Sequence, residues 1–249
     1  MNKEIELHSG YKIIEFKELD STMITLKELA ITGCDVNTAV WAKKQISGRG
    51  RHGREWTSPY GNLYVSFLRE VENKNSKNIF APVFIVALAI VNSIKDISGD
   101  KIIPRIKWPN DVLINKSKVA GILIENISLS NNNVLNIGFG INIVSNPNNT
   151  IYPATNLNKE GIQTNSKEMI TIFFKNLKLL EKLYIREGIN KIYKMWGVFG
   201  HKIGDPISVN IGKNKIFGKF NGLNGEGGLL IIDGKGKEQV VLAGDVFLL

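Results

Sequence analysis

Cysteine and histidine are scarce: one Cys and three His among 249 residues. A lone Cys34 excludes an internal disulfide and suits a reducing compartment, so a cytoplasmic protein is expected. With so few thiols and imidazoles, no zinc-site spacing can be assembled. No apolar run reaches the ~20 residues of a spanning helix. The longest, 79–91, is broken by Pro82 and reads as a buried helix, so no membrane partner is expected. The opening MNKEIELHSG lacks the apolar segment of a secretory signal. Acidic residues are the minority, 23 against 32 Lys and Arg, for a net charge of +9. That excess keeps nucleic acid among the candidate partners. The lysines, however, are scattered, which suits a solvated basic surface better.

What is present is a globular composition, 43% hydrophobic. Asp20-Ser21 offers an N-cap and Gly33 a stop to a helix carrying Met23, Leu26, Leu29 and Ala30 at helical spacing. Strands are expected at 38–43 (TAVWAK) and 62–68 (NLYVSFL), and a helix at 79–97 closed by Gly99. Pro104 and Pro109 keep 102–108 extended. A hairpin over 112–127 should turn through Asn115-Lys116-Ser117, and another strand follows at 134–143. Ser166 is placed to cap a long helix with Ile170, Phe173, Leu177, Leu180 and Tyr184 on one face, and a shorter helix ends near Trp196. Residues 197–249 hold 12 of the 24 glycines, with short strands at 207–211, 216–220, 229–232 and 239–242. That pattern predicts a small β-barrel, and division into residues 1–200 and 201–249.

The densest feature is Gly48 to Trp56, GRGRHGREW, which contains G-x-G-x-x-G. A dinucleotide turn needs a helix straight after the glycines, to set the pyrophosphate on its N-terminus. Here Trp56-Thr57-Ser58-Pro59-Tyr60-Gly61 leads into a strand, and a P-loop ending in Gly-Lys-Ser/Thr is absent too. What remains is a cationic loop between strands. Its glycines let backbone N–H groups approach an anion, and its arginines are forked permanent donors. Chemistry alone leaves two readings open, a solvated surface turn and a lid that closes over a small anion.

The wider pattern separates them. Residues 45–56, QISGRGRHGREW, resemble the Q-x-x-G-R-G-R-x-G-R-x-W segment of biotin protein ligases. Asp20-Ser21-Thr22, KWPND at 107–111, KVAGILIE at 118–125 and GFGINI at 138–143 resemble further segments of that family, in the same order. The resemblance implies an α+β fold: a mixed β-sheet with helices, of the class II aminoacyl-tRNA synthetase-like, biotin/lipoate ligase type, followed by an SH3-like barrel. It also implies ATP and biotin as substrates, Mg²⁺, biotinyl-AMP as intermediate, and transfer to a lysine of a biotin carboxyl carrier protein or other carboxylase domain. A homodimer fits as well. DST stands so near residue 1 that no winged-helix DNA-binding domain of the bifunctional relatives is expected before it, hence no repressor activity. Lipoate ligase shares the chemistry, but GRGRHGREW and KWPND fit the biotin branch better.

Carried over residue by residue, Lys118 is the leading catalytic candidate, an ammonium against both carboxylate and phosphate. Arg51 joins it in catalysis, and Arg49 and Arg51 both meet biotin and the adenylate; Arg54 ranks lower. Ser21, Thr22 and Gln45 face biotin's ureido ring, with Met23 where many relatives carry Asn. Gly48, Gly50 and Gly121 complete the biotin site. Trp56, Lys107, Asn110, Asp111 and Asn142 are placed at the adenylate, with Asp111 the candidate for Mg²⁺. Trp108 either walls a ligand or packs in the core. His52 has no role beyond solvent exposure.

Overall fold

In the computed structural model, the described residues are 3–7, 9–70, 80–129, 133–148, 150, 152–212 and 214–248. Ile79, the first residue of the expected buried helix, lies outside them. Eight strands make the larger sheet, in the order β1-β2-β3-β4-β8-β7-β6-β5. They are β1 Lys3–Glu6, β2 Lys12–Phe16, β3 Thr38–Ala42, β4 Leu63–Glu70, β5 Arg105–Lys107, β6 Asp111–Ile114, β7 Ser117–Ser128 and β8 Asn133–Ile141. β2 and β3 are parallel, joined across α1 (Thr22–Ile31), and the other neighbours are antiparallel. The expected extended stretch 102–108 becomes only the three residues of β5.

Helices cover both faces. On one, α1 buries Leu26 and Ala30 against Val40, Leu68 and Val134. On the other, α2 (Ala81–Ser98), α3 (Ser166–Glu187) and α4 (Ile189–Phe199) join the sheet in the main core. α2 is apolar all round because it is buried almost all round, and it stops where Gly99 takes a left-handed φ of 59°. α3 buries one stripe, including Ile170, Phe173, Leu177 and Leu180. Its N-cap is Asn165, not Ser166: the Asn165 Oδ1 accepts from the Glu168 N–H at 3.0 Å, leaving Ser166 inside the first turn.

β8 shows how the chain sorts its faces. In NVLNIGFGI the odd positions Ile137, Phe139 and Ile141 enter the main core, while Gly138 and Gly140 point to the α1 side. The β6–β7 hairpin turns through two residues, Asn115 (φ 49°) and Lys116 (φ 64°), and Ser117 already belongs to β7. A register shift at Val112/Leu113 puts Lys118, three residues before Gly121, on the same side of the sheet as Gly121.

A second, five-stranded antiparallel sheet follows, in the order β12-β11-β10-β9-β13. Its strands are β9 Pro206–Ile211, β10 Asn214–Leu223, β11 Leu229–Asp233, β12 Glu238–Val241 and β13 Asp245–Leu248. β13 was not anticipated. Among the described residues the edges β12 and β13 do not pair, so the SH3-like unit is not a closed barrel. Trp108 and Tyr152 of the larger unit reach it at Gly227 and Phe247.

Candidate functional site

A cavity of about 340 Å³ opens on the α1 side of the larger sheet. Its floor carries almost no side chains, because Gly121 of β7 and Gly140 of β8 are register partners. The Trp56 indole lies on that floor: a Cβ on Gly140 would fall 2.3 Å from its Nε1, and one on Gly121 would fall 3.0 Å from Cζ3. Met23 fills the next position, where a Gly138 Cβ would fall 2.4 Å from its sulfur. Trp56 and Met23 are therefore walls, and the glycines are small because those walls stand on them.

One end is neutral and polar. Gln45 Oε1 accepts from the Thr22 N–H at 2.8 Å and the Thr22 hydroxyl at 3.1 Å, while its Nε2 donates to Ser58 Oγ at 2.9 Å. The Ser66 hydroxyl donates to Thr22 Oγ1 at 2.7 Å. Ser21 stands at the N-cap position of α1 but makes no capping bond, and its buried Oγ has no partner. The N-cap that Asp20-Ser21 offers in the sequence is thus made by position alone, with no hydroxyl bond to the helix. The Ser21 hydroxyl is a buried polar group that lines the cavity without a protein partner.

The other end is charged. The Lys118 ammonium lies 2.6 Å from Asp111 Oδ1, and Lys107 lies 3.1 Å from Asp111 Oδ2. Burial alone would raise the Asp111 carboxyl, but Lys118 and Lys107 outweigh it and hold it below its ordinary value. Burial lowers the Lys107 ammonium, against the pull of Asp111. Lys107 also rests 3.5 Å from the Tyr152 ring centroid. Asn110 donates to the Ile122 carbonyl at 2.7 Å, and Asn142 to the Thr155 carbonyl at 3.0 Å. A resident divalent ion does not fit here. Both Asp111 oxygens are held by ammonium groups, and among the described residues no cluster of three His, Cys, Asp or Glu surrounds it.

The glycine–arginine loop is a narrow hairpin closed over the site. At its base the Trp56 N–H donates to the Gly48 carbonyl at 2.8 Å, and higher up the Gly50 N–H donates to the Arg54 carbonyl at 2.7 Å. Gly48 has no room for a side chain, since a Cβ would fall 2.2 Å from the Trp56 carbonyl oxygen. The tip turns at His52 (φ 57°) and Gly53 (φ 71°), with His52 exposed as expected. Arg49 makes a two-pronged contact with Glu125, at 2.8 and 3.2 Å. Arg54 donates through one nitrogen, Nη2, to both Asp245 carboxylate oxygens, at 2.8 and 3.0 Å. Arg51 donates to Asn110 Oδ1 at 3.0 Å and to the Gly244 carbonyl at 3.4 Å.

Trp108 does not reach the cavity. It is fully buried, packs at a tilt against Phe80 with ring centroids 5.4 Å apart, and its indole N–H donates to the Gly227 carbonyl at 3.1 Å. Its backbone N–H donates to His201 Nε2 at 3.3 Å, which puts the imidazole proton on Nδ1. Burial pulls the His201 pKa down from 6.5 to about 4, so the folded protein holds the ring neutral. A depressed folded pKa means that stability is complete above 6.5 and is lost as pH falls toward 4, at a cost of up to about 3 kcal/mol. The unfolding midpoint in denaturant should fall across that window more steeply in the wild type than in His201→Gln. Parallel curves would contradict this.

Glu125, Tyr152 and Asp245 were not anticipated. Glu125 ends the KVAGILIE segment, but Tyr152 and Asp245 sit in a loop and a terminal strand with no signal of their own. Comparison with known proteins then bears on the chain. Residues 15–142 match the biotin/lipoate A/B protein ligase family, and 202–249 match the biotin protein ligase C-terminal domain. The biotin–[acetyl-CoA-carboxylase] ligase of Paracoccus denitrificans is 28% identical over 92% of this chain and 97% of that protein. The bifunctional ligase/repressor BirA of Escherichia coli is 29% identical over 76% of this chain, which spans only 60% of that protein. The biotin protein ligase from Aquifex aeolicus, solved with biotin and ATP, superimposes with a TM-score of 0.81 at 31% identity, over 95% of this chain and 98% of that one.

Proposed function

Because the chain belongs to the biotin/lipoate A/B protein ligase family, we propose that it activates biotin with ATP and passes the biotinyl group to a lysine of a carrier-protein domain. An oxygen of the biotin carboxylate attacks the α-phosphorus, and the bond to pyrophosphate breaks. The acceptor amine then attacks the acyl carbon, AMP leaves with the shared oxygen, and the amine gives up its proton. The observation that carries this reading is one cavity with an open buried hydroxyl, Ser21, at its neutral end and the Lys118–Asp111–Lys107 cluster at its charged end. That polarity matches a neutral ring joined by an apolar chain to an anionic mixed anhydride.

In this reading Ser21 meets the ureido ring, and Thr22 and Gln45 hold it in place through their shared hydrogen bonds. Met23 and Trp56 line the chain. Lys118 bridges carboxylate and α-phosphate, and Arg51 adds a second cation. Lys107, Asn110 and Asn142 face the nucleotide, and any Mg²⁺ enters with ATP as part of the substrate. A carboxylase biotin domain is the proposed acceptor, with repressor activity absent. Leu123 to Ser128 of β7 pair only with β8 among the described residues, which offers an acceptor or a second copy of the chain a strand edge to join.

The test is incorporation of labelled biotin into a carrier domain, alongside ATP–pyrophosphate exchange with biotin and with lipoate. Exchange with lipoate alone would overturn the substrate. One substitution probes the floor: Gly140→Ala should weaken biotin binding about tenfold or more, because its methyl takes the place of the indole edge. Calorimetric titration showing unchanged affinity would remove Trp56 from the site.

A further inference from the structure

The three loop arginines do not have equal partners. The outer two, Arg49 and Arg54, each meet a protein carboxylate with two hydrogen bonds, Glu125 on β7 and Asp245 on β13. The middle one, Arg51, has no carboxylate within 3.5 Å: it donates to the oxygens of Asn110 and Gly244 and lies 3.5 Å from His52 Nε2, while its nearest carboxylate oxygen, on Asp245, is 3.9 Å away. We propose that Glu125 and Asp245 are positioning residues that hold the loop closed by neutralising its outer arginines, leaving Arg51 as the cation a ligand anion takes over.

The physical reason is division of charge. Three guanidinium groups in six residues repel one another, and closing them together without counter-charges is unfavourable. Two carboxylates, one from each sheet, offset that repulsion. They also fix both shoulders of the hairpin, so the Arg51 side chain between them is aimed inward. Arg51 is 20% exposed, against 44% for Arg49 and 41% for Arg54. Its neutral partners are weaker than a phosphate oxygen, so a phosphate displaces them readily. Because the pairs are half-exposed, each shifts the open–closed balance only a few-fold.

This inference rests on the proposed ligase reading for the identity of the anion, but the loop's closure can be tested without it. In the full chain without ligand, trypsin cuts after Arg49, Arg51 and Arg54 report opening. Asp245→Asn and Glu125→Gln leave those sites intact, and each should speed cleavage there about threefold, and together about tenfold, with the thermal midpoint unchanged. With biotin and ATP present, the same variants should release more biotinyl-AMP into solution per biotin transferred. Arg54→Asp should open the loop as Asp245→Asn does, and Arg54→Asp with Asp245→Arg should close it again, read by cleavage after Arg49. Unchanged loop cleavage in both single variants overturns the proposal, as does faster cleavage at every site with a lowered midpoint, or failure of the charge swap to restore protection. A wild type that shows these loop effects but transfers no biotin would sink the ligase reading and leave the positioning role standing.

Discussion

Lys118→Ala should lower biotin-dependent ATP–pyrophosphate exchange about 10³-fold, with a much smaller change in biotin affinity. The Lys118 side chain is 25% exposed, and its ammonium lies 2.6 Å from Asp111. Its stem lies over Gly121, where a Cβ would fall 3.0 Å from its Cε and Nζ, and the charge sits 5.1 Å from the Trp56 ring centroid. It thus stands over the glycine floor between Asp111 and Trp56. Removing a pre-aimed donor to developing charge typically costs 10²–10³ in rate, and a full cation at the α-phosphorus belongs at the upper end. Lys118→Arg should not rescue, because a planar guanidinium is too broad for the space that a compact ammonium fills above Gly121. Asp111→Asn separates alignment from charge. It leaves Lys107 and Lys118 facing each other without their shared counter-ion, so it should reduce exchange by loss of alignment while both cations remain. Exchange within tenfold of wild type in Lys118→Ala would remove the lysine from the chemistry. Circular dichroism should show the variant folded, since Lys118 sits near the surface end of its strand.

How much of this was legible follows from the range of each interaction. The apolar run 134–143 announces a strand, but Gly138 and Gly140 were not anticipated as a floor, because only the fold brings Gly121, Trp56 and Met23 against them. The two-residue turn at Asn115-Lys116 was blurred by one position because Ser117 is as turn-prone as its neighbours. Ser166 and Asn165 are adjacent good caps, and only geometry decides between them. The loop's composition announced cations but not their partners. Arg49 finds Glu125 across 76 residues, and Arg54 finds Asp245 across 191. No periodicity encodes such pairs: the first is made by β7 of the larger sheet, and the second exists because the smaller sheet returns its last strand to the mouth of the cavity. In the same way, β13 hides in AGDVFLL, too short and glycine-led to announce itself.

KWPND shows that one motif can serve two masters, and it yields the largest expected stability effect. Lys107 and Asp111 face each other as register partners of β5 and β6 in the charged cluster, while Trp108, in the turn between them, is fully buried away from it. Its indole is fully buried, bonded to the Gly227 carbonyl and packed against Phe80, and its backbone N–H is held by neutral His201. Trp108→Ala should therefore cost about 3–5 kcal/mol, from lost transfer energy plus the cavity left at the junction of the two sheets. Trp108→Phe keeps most of the packing but leaves the Gly227 carbonyl without its partner, costing about 1–3 kcal/mol. Denaturant melts should show that order, Ala well below Phe. Because Gly227 lies in the second sheet's unit, the Ala variant should also lose the single cooperative transition, with the C-terminal strands released first. The KM for ATP of the Phe variant should stay within about twofold of wild type, as it would not for a nucleotide-stacking ring worth 1 kcal/mol or more. A Trp108→Phe protein with native stability and a much raised KM for ATP would reverse this assignment and return the indole to the ligand.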